Sequence, residues 1–205
     1  MRSAIILVGG EARRANGKEK YFFVYQGKTF IERLVDTLTD VVDEIIIVAR
    51  NQDQCKRFES LNHVTCVSDV RRGMGPVGGL HAGVHVAKGD QVFVSACDMP
   101  CIDSRVITYL FREIDSYDAV IPRWSESMFE PLHAVYKRSA LLGYLESHTS
   151  LSLRTMIQSL NAKYISVEDL KKFDPDLKTF TNINMIEDLE RISNSQETTG
   201  QPRHL

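Results

Sequence analysis

Short apolar, β-branched runs alternate along this chain with segments of helical period, and that alternation restricts the fold more than any other feature. A βαβ series builds a parallel sheet buried on both faces, so its strands read as nearly continuous apolar stretches. The pattern predicts strands at Ser3–Val8, Glu44–Ala49, His63–Val67, Gln91–Ala96, Ala119–Pro122, Leu132–Tyr136 and Lys163–Val167. Helical stripes fall between them. Phe30, Leu34, Val35 and Leu38 form one, and Leu80, Val84 and Ala87 form another. Val106, Ile107, Leu110, Phe111 and Ile114 form a third, opened by an Asp103-Ser104 cap signal. The expected fold is α/β, a three-layer αβα sandwich around a mostly parallel, Rossmann-like sheet.

The 205 residues suit one domain, and 43% apolar with 25% charged residues is an ordinary globular balance. Lys and Arg number 25 against 27 Asp and Glu, a formal net charge of -2, so no broad basic field invites nucleic acid. No apolar run reaches the ~18 residues of a membrane span, and Ala4–Val8 is too short for a signal segment; a cytoplasmic protein is expected. The four cysteines form no C-x-x-C pair and read as reduced thiols. His81 and His85 share a helix face but lack an H-E-x-x-H context, and read as surface or satisfied histidines. One domain over 1–193 and a polar, frayed tail over 194–205 are the expected organisation.

Two irregular stretches, Gly9–Lys20 and Ser68–Gly79, follow predicted strands, at the strand ends where open α/β sheets bind ligands. Gly9-Gly10 lets backbone N–H groups approach an anion, and Arg13, Arg14, Lys18 and Lys20 can embrace a polyphosphate. This is no Walker A loop, because Gly17-Lys18 runs into Glu19. A surface turn with solvated charges is the plainer reading of the same residues. Gly73-Met74-Gly75-Pro76-Val77-Gly78 satisfies G-x-G-x-x-G, but Ser68–Arg72 separates it from the strand and it is not at the first βα turn. A loop closing over a base or ribose, with Gly78-Gly79 at the start of the next helix, is the alternative. Asp98 follows the apolar Val92–Ala96, where its carboxylate can hold a hard cation bridging phosphates, with Mg²⁺ the natural choice; a turn or cap aspartate is the other reading.

Four ordered motifs resemble the molybdenum cofactor guanylyltransferases, the MobA-type branch of the GT-A-like nucleotidyltransferases, over roughly residues 3–192. They are Leu-x-Gly-Gly-x-x-x-Arg with a following lysine, Gly75-Pro76-Val77-Gly78-Gly79-Leu80, Cys97-Asp98-Met99-Pro100, and Phe180–Asn184 with Glu187-Asp188-Leu189. Ile121–Trp124 and Glu130–Tyr136 also resemble that family. The resemblance implies that Leu7, Val8 and Gly9 open the nucleotide loop, with Gly10 beside them. Arg14 matches the loop arginine, Lys20 the lysine that contacts the triphosphate, and Asp69 the aspartate on the guanosine side. Asp98 matches the Mg²⁺ ligand, and Asn182 and Asn184 an Asn-x-Asn element on the pterin and metal side. Gly75 and Pro76 join the nucleotide side, and Gly78 and Gly79 the substrate side.

The implied reaction moves GMP from GTP to the phosphate of molybdenum-bearing molybdopterin and releases pyrophosphate, with Arg14, Lys20 and Asp98 as the catalytic set. Transient contact with molybdopterin-carrying proteins or molybdoenzymes belongs to the same setting. The rival readings are a CTP-dependent molybdopterin cytidylyltransferase, a guanylyltransferase for another phosphorylated acceptor, and a nucleotide-binding regulator without catalysis. Val8 stands where the family carries alanine, Asn16 replaces a glycine, and Glu11 brings a negative charge into a phosphate loop. Either Arg50 or Asn51 falls where the family has a nucleotide-binding asparagine. Trp124 with Arg123 could stack on the pterin or pack as a loop tryptophan on the core.

Overall fold

The structure, a computed structural model, describes residues 1–9, 19–69 and 74–183. Its centre is a seven-stranded sheet made of β1 (Arg2–Leu7), β4 (Glu44–Ala49), β5 (Val64–Ser68), β6 (Gln91–Ala96), β7 (Ala119–Arg123), β8 (His133–Lys137) and β9 (Ala162–Ser166), in the order β5-β4-β1-β6-β8-β7-β9. Six strands run in one direction and β8 opposes its neighbours β6 and β7. All seven predicted strands are present, each shifted by a residue at most. His63, expected to open β5, adopts a left-handed φ of 61° and lies outside the strand. Val167 closes no strand, because the Ser166 hydroxyl accepts from the Glu168 N–H and starts a short helix there.

Helices cover both faces. On one, α1 (Phe30–Thr39), α4 (Ser104–Arg112) and the short α7 (Val167–Leu170) pack on Ala4, Ile6, Ile45 and Ile47. On the other, α3 (Gly75–Val86), α5 (Arg138–Ser147) and α6 (Leu153–Ser159) pack on Ile5, Ile46 and Val48. Successive β1 side chains thus enter opposite cores, as the period of two requires. The α/β sandwich expected from the sequence is what forms.

The three helical stripes all become helices. A Thr29/Glu32 capping box opens α1, and the Asp103 carboxylate caps α4 through the Arg105 and Val106 N–H groups. The irregular second stretch is shorter than expected: the chain is helical from Gly75, so Gly78 and Gly79 lie inside the first turns of α3. The sequence reading also passed over a small hairpin, β2 (Val24–Tyr25) with β3 (Lys28–Thr29), turned by Gln26 and Gly27 at φ of 50° and 79°. It passed over a four-residue helix, α2 (Gln52–Cys55), as well.

Because β8 alone is inverted, its first residue lies at the same sheet edge as the last residues of β1, β4, β5, β6, β7 and β9. His133 pairs with Ser95 near the end of β6. That carboxyl-end rim carries every sequence-predicted site residue the structure describes at a strand end.

Candidate active site

Two separated parts of the chain bring a cation and a carboxylate together on this rim. Lys20 opens a 3-10 turn over Lys20–Phe22 that the buried Tyr21 ring anchors to the core. Asp98 stands two residues beyond β6, where the Cys97 N–H donates to the Leu7 carbonyl at 3.2 Å. The Lys20 Nζ lies 3.4 Å from Asp98 Oδ2, with both side chains about a quarter exposed, at 23% and 26%. An ion pair that long and that wet contributes little to stability. Its value lies in aiming one positive and one negative group at the same point of the rim.

The Asp98 turn also holds the segment carrying Asn182. The Ile183 N–H donates to the Asp98 carbonyl at 2.8 Å, and Ile183 is itself buried against Phe23 and Phe30. Asn182 is thereby exposed at the edge of the same turn. Asp98 and Asn182 supply oxygen donors suited to a hard cation, which is usually held by one or two protein oxygens plus substrate phosphates. Among the described residues no group of three or more His, Cys, Asp or Glu side chains could hold a metal ion by itself.

Glu19, which sequence reading passed over, organises the approach to Lys20. Its carboxylate, 13% exposed, accepts from Arg50 Nη2 at 3.3 Å and Gln54 Nε2 at 3.2 Å, and also from Arg57 Nη1 and the Tyr21 hydroxyl. Burial and the bond to Glu19 push the Tyr21 phenol up to about 12, so it remains a donor. Gln54 is held in turn, its Oε1 accepting from the Arg50 N–H at 2.6 Å and its own N–H donating to the Asn51 side chain at 2.9 Å. Asn51 is thus spent as the cap of α2, while the Arg50 backbone lies beside Gly9, 3.7 Å from where a Cβ on that glycine would sit. Arg50, Gln54 and Arg57 lie 31 to 38 residues from Glu19 in sequence, and no local signal joins them to it.

Asp69 follows β5, its N–H donating to the Ala49 carbonyl at 2.7 Å, at the outer end of the rim. Gly75 has φ of 60°, a conformation that favours glycine, and Pro76 then enters the first turn of α3, where its missing N–H costs nothing. Gly78 and Gly79 are buried; a Cβ on Gly79 would lie 3.1 Å from the Leu7 side chain. The Val8 side chain is buried in the core, so the departure from alanine fills the interior. Gly10, Arg14, Asn184 and the tail over 194–205 lie outside the described residues. His81 and His85 pair with each other, Nε2 to Nε2 at 3.1 Å, on α3.

Comparison with known proteins places the chain. A family model described as "MobA-like NTP transferase domain" matches residues 4–164. A probable molybdenum cofactor guanylyltransferase of Methanosarcina mazei is 37% identical, with 97% of this chain and 93% of that protein covered. A molybdenum cofactor guanylyltransferase of Desulfosudis oleivorans is 35% identical over 92% and 93% of the two chains. The crystal structure of molybdopterin-guanine dinucleotide biosynthesis protein A from Archaeoglobus fulgidus superposes with a TM-score of 0.79 at 31% identity, covering 97% of this chain and all of that one. With its parallel-sheet rim, its Lys20–Asp98 pair and a family match across most of its length, this chain belongs to the MobA-like NTP transferases.

Proposed function

We propose that the protein is a molybdenum cofactor guanylyltransferase, transferring GMP from GTP to the terminal phosphate of molybdenum-bearing molybdopterin. The observation that carries the reading is the convergence of Lys20 and Asp98 at 3.4 Å on the rim, with the exposed Asn182 next to the Ile183 N–H that binds Asp98. The relatives named above, which match nearly the whole chain, support the same nucleotide and acceptor.

An oxygen of the acceptor phosphate attacks the α-phosphorus of GTP; the new P–O bond forms as the bond to the β-phosphate bridging oxygen breaks, and pyrophosphate leaves. The acceptor is already ionised at neutral pH, so the protein's task is positioning and charge stabilisation rather than proton abstraction. Lys20 contacts the triphosphate, and Gly9 and Gly10 offer backbone N–H groups, with Arg14 as a second cation. Asp98, with Asn182 beside it, would hold Mg²⁺, which would supply charge neutralisation at the α-phosphate and the leaving group. Asp69, Gly75 and Pro76, at the β5 end of the rim, serve the base side. Glu19 keeps Arg50 and Arg57 gathered beside Lys20 and so holds the turn on which that lysine stands.

The test is transfer of α-labelled nucleotide to molybdenum-loaded molybdopterin, with GTP and CTP in parallel and with and without Mg²⁺. Label moving from GTP and not CTP, only with the metal, is the expected result. Transfer from CTP alone reassigns the base pocket, and transfer from neither refutes the reading. No described helix is long and apolar enough to cross a membrane, in keeping with work on small soluble substrates.

A further inference from the structure

The connection from β7 to β8 is the part of the rim that the nucleotide contacts leave unused, and it holds a tryptophan out toward solvent. Arg123 and Phe129 close it as an antiparallel bridge. The Trp124 N–H donates to the Met128 carbonyl and the Glu130 N–H to the Pro122 carbonyl, both at 2.9 Å, while Arg154 Nη2 of α6 donates to the Ser127 carbonyl at 2.8 Å. In this braced loop the Trp124 side chain stays 43% exposed.

Two contacts fix the plane of the indole. Its Nε1–H donates to Glu130 Oε1 at 2.7 Å, and its ring meets Phe180 in a T-shaped contact with centroids 5.7 Å apart. Phe180 packs edge-on against His133, 4.9 Å away, and Asn182 follows two residues later, next to the Ile183 N–H that binds Asp98. Trp124 is therefore joined to the catalytic turn through one aromatic ring and a few residues of backbone. Glu130 is half-buried, and burial raises its carboxyl while the indole bond lowers it. One indole N–H uses a fraction of a carboxylate's acceptor capacity, so a ligand bringing further N–H donors would be favoured there.

We propose that Trp124 and Glu130 form the subsite for the acceptor's heterocycle, the indole stacking on a flat fused ring while the Glu130 carboxylate accepts from that ring's adjacent N–H groups. This rests on the acceptor being a pterin phosphate, as proposed above. A pterin has the required edge, an exocyclic amine beside a ring N–H. Guanine has the same edge, but the expected base-side residue, Asp69, follows β5, at the far end of the strand order from β7. The subsite therefore belongs to the acceptor.

Trp124 is the chain's one tryptophan, so intrinsic fluorescence reports on this position. The full chain is titrated with a 6-alkylpterin phosphate and, separately, with GTP and Mg²⁺, following tryptophan emission and, for the pterin, its own anisotropy. The expected result is saturable quenching by the pterin phosphate and none by GTP. Trp124→Ala and Glu130→Gln should each weaken pterin binding about 10-fold, in the range of a lost base-aromatic stack. Trp124→Phe should recover most of the loss. In the transfer assay the first two variants should raise the KM for acceptor with the KM for GTP unchanged. Quenching by GTP and not by pterin, or unchanged pterin affinity in Trp124→Ala and Glu130→Gln, overturns the subsite. Normal GMP transfer with an unchanged acceptor KM in both also overturns it and leaves the enzyme reading standing. Absence of transfer by the parent chain, with quenching by the pterin intact, overturns the enzyme reading instead.

Discussion

Along the β5-β4-β1-β6 half of the rim the exposed chemistry is charge and backbone: Lys20, Asp98, Glu19 with its arginines, Gly9, and the glycine-led entry to α3. Along the β8-β7-β9 half the side chains are rings, with Trp124 exposed on the buried Phe180, Phe180 packed on the buried His133, and Phe129 on Tyr164 with centroids 5.2 Å apart. Parallel strands release loops and helix starts at one edge, which present N–H groups and basic side chains and so suit phosphates. Inverting β8 turns the next connection into a braced hairpin-like loop, which can hold flat side chains in fixed planes. On the reading proposed above, the charged half takes the triphosphate and the aromatic half the heterocycle, with Asp98 at the seam.

The seam gives the largest expected effect. Asp98→Ala should lower turnover by at least ~10²–10³-fold, the usual range for removing a preorganised electrostatic group, with the thermal transition nearly unchanged because the residue is partly exposed and weakly paired. Near-normal turnover in the folded variant would break the division at its centre. Next comes the charged half. Lys20→Ala should cost about 1.5–3 kcal/mol of nucleotide binding, the range for a hydrogen bond to a charged group, measured by calorimetric titration with GTP. Pterin quenching of Trp124 should be untouched by it; if both change together, the halves are not separate sites.

How much of this was legible from sequence depends on whether the cause was local. The seven strands read clearly because burial on both faces makes them continuous apolar runs, and α1 and α4 because their caps and stripes coincide. Asp98 and Lys20, which the structure brings to 3.4 Å, stood out too, Asp98 because it closely follows an apolar strand and Lys20, well past the end of β1, through the family resemblance. The Glu19 cluster did not, because strand order alone brings Arg50, Gln54 and Arg57 to it. Gly78 and Gly79 read as the end of the irregular stretch, at the entry to the next helix, since glycines are poor helix formers; the helix runs through them, with Gly79 packed close to the Leu7 side chain. The β2-β3 hairpin was too short to show a period and depends on two left-handed turn residues.

That close approach can be tested by a matched pair of substitutions. A Cβ on Gly83 of α3 would lie 2.8 Å from Ile5 Cγ2 and 3.0 Å from Val48 Cγ2, both packed core atoms, whereas a Cβ on Gly143 of α5 meets nothing within 4 Å. Gly83→Ala should therefore lose about 1–2 kcal/mol, overpacking outweighing the ~1 kcal/mol gained in helix propensity. Gly143→Ala should gain about 0.5–1 kcal/mol from propensity alone. Urea unfolding of both decides it, and stabilisation by Gly83→Ala would mean that the nucleotide half packs less tightly than the contacts require.

A similarly small effect belongs to the aromatic half. His133 is fully buried between Phe93 and Phe180, its Nε2 3.2 Å from Thr179 Oγ1, and burial lowers its pKa from 6.5 to about 3. The folded state therefore requires the neutral ring, while the unfolded chain takes up a proton near pH 6.5. The contribution is fully present above pH 6.5 and is lost as pH falls from there toward 3, by at most ~1.4 kcal/mol per unit. Between pH 7 and 5.5 the loss should be about 1 kcal/mol. His133→Phe keeps a ring against Phe93 and Phe180 but cannot titrate, so the stability difference between the parent chain and this variant should shift by that amount in urea unfolding across the same interval. A constant difference would mean that the imidazole stays protonated or hydrated in the folded chain, and that the ring cluster beneath the acceptor side is not dry.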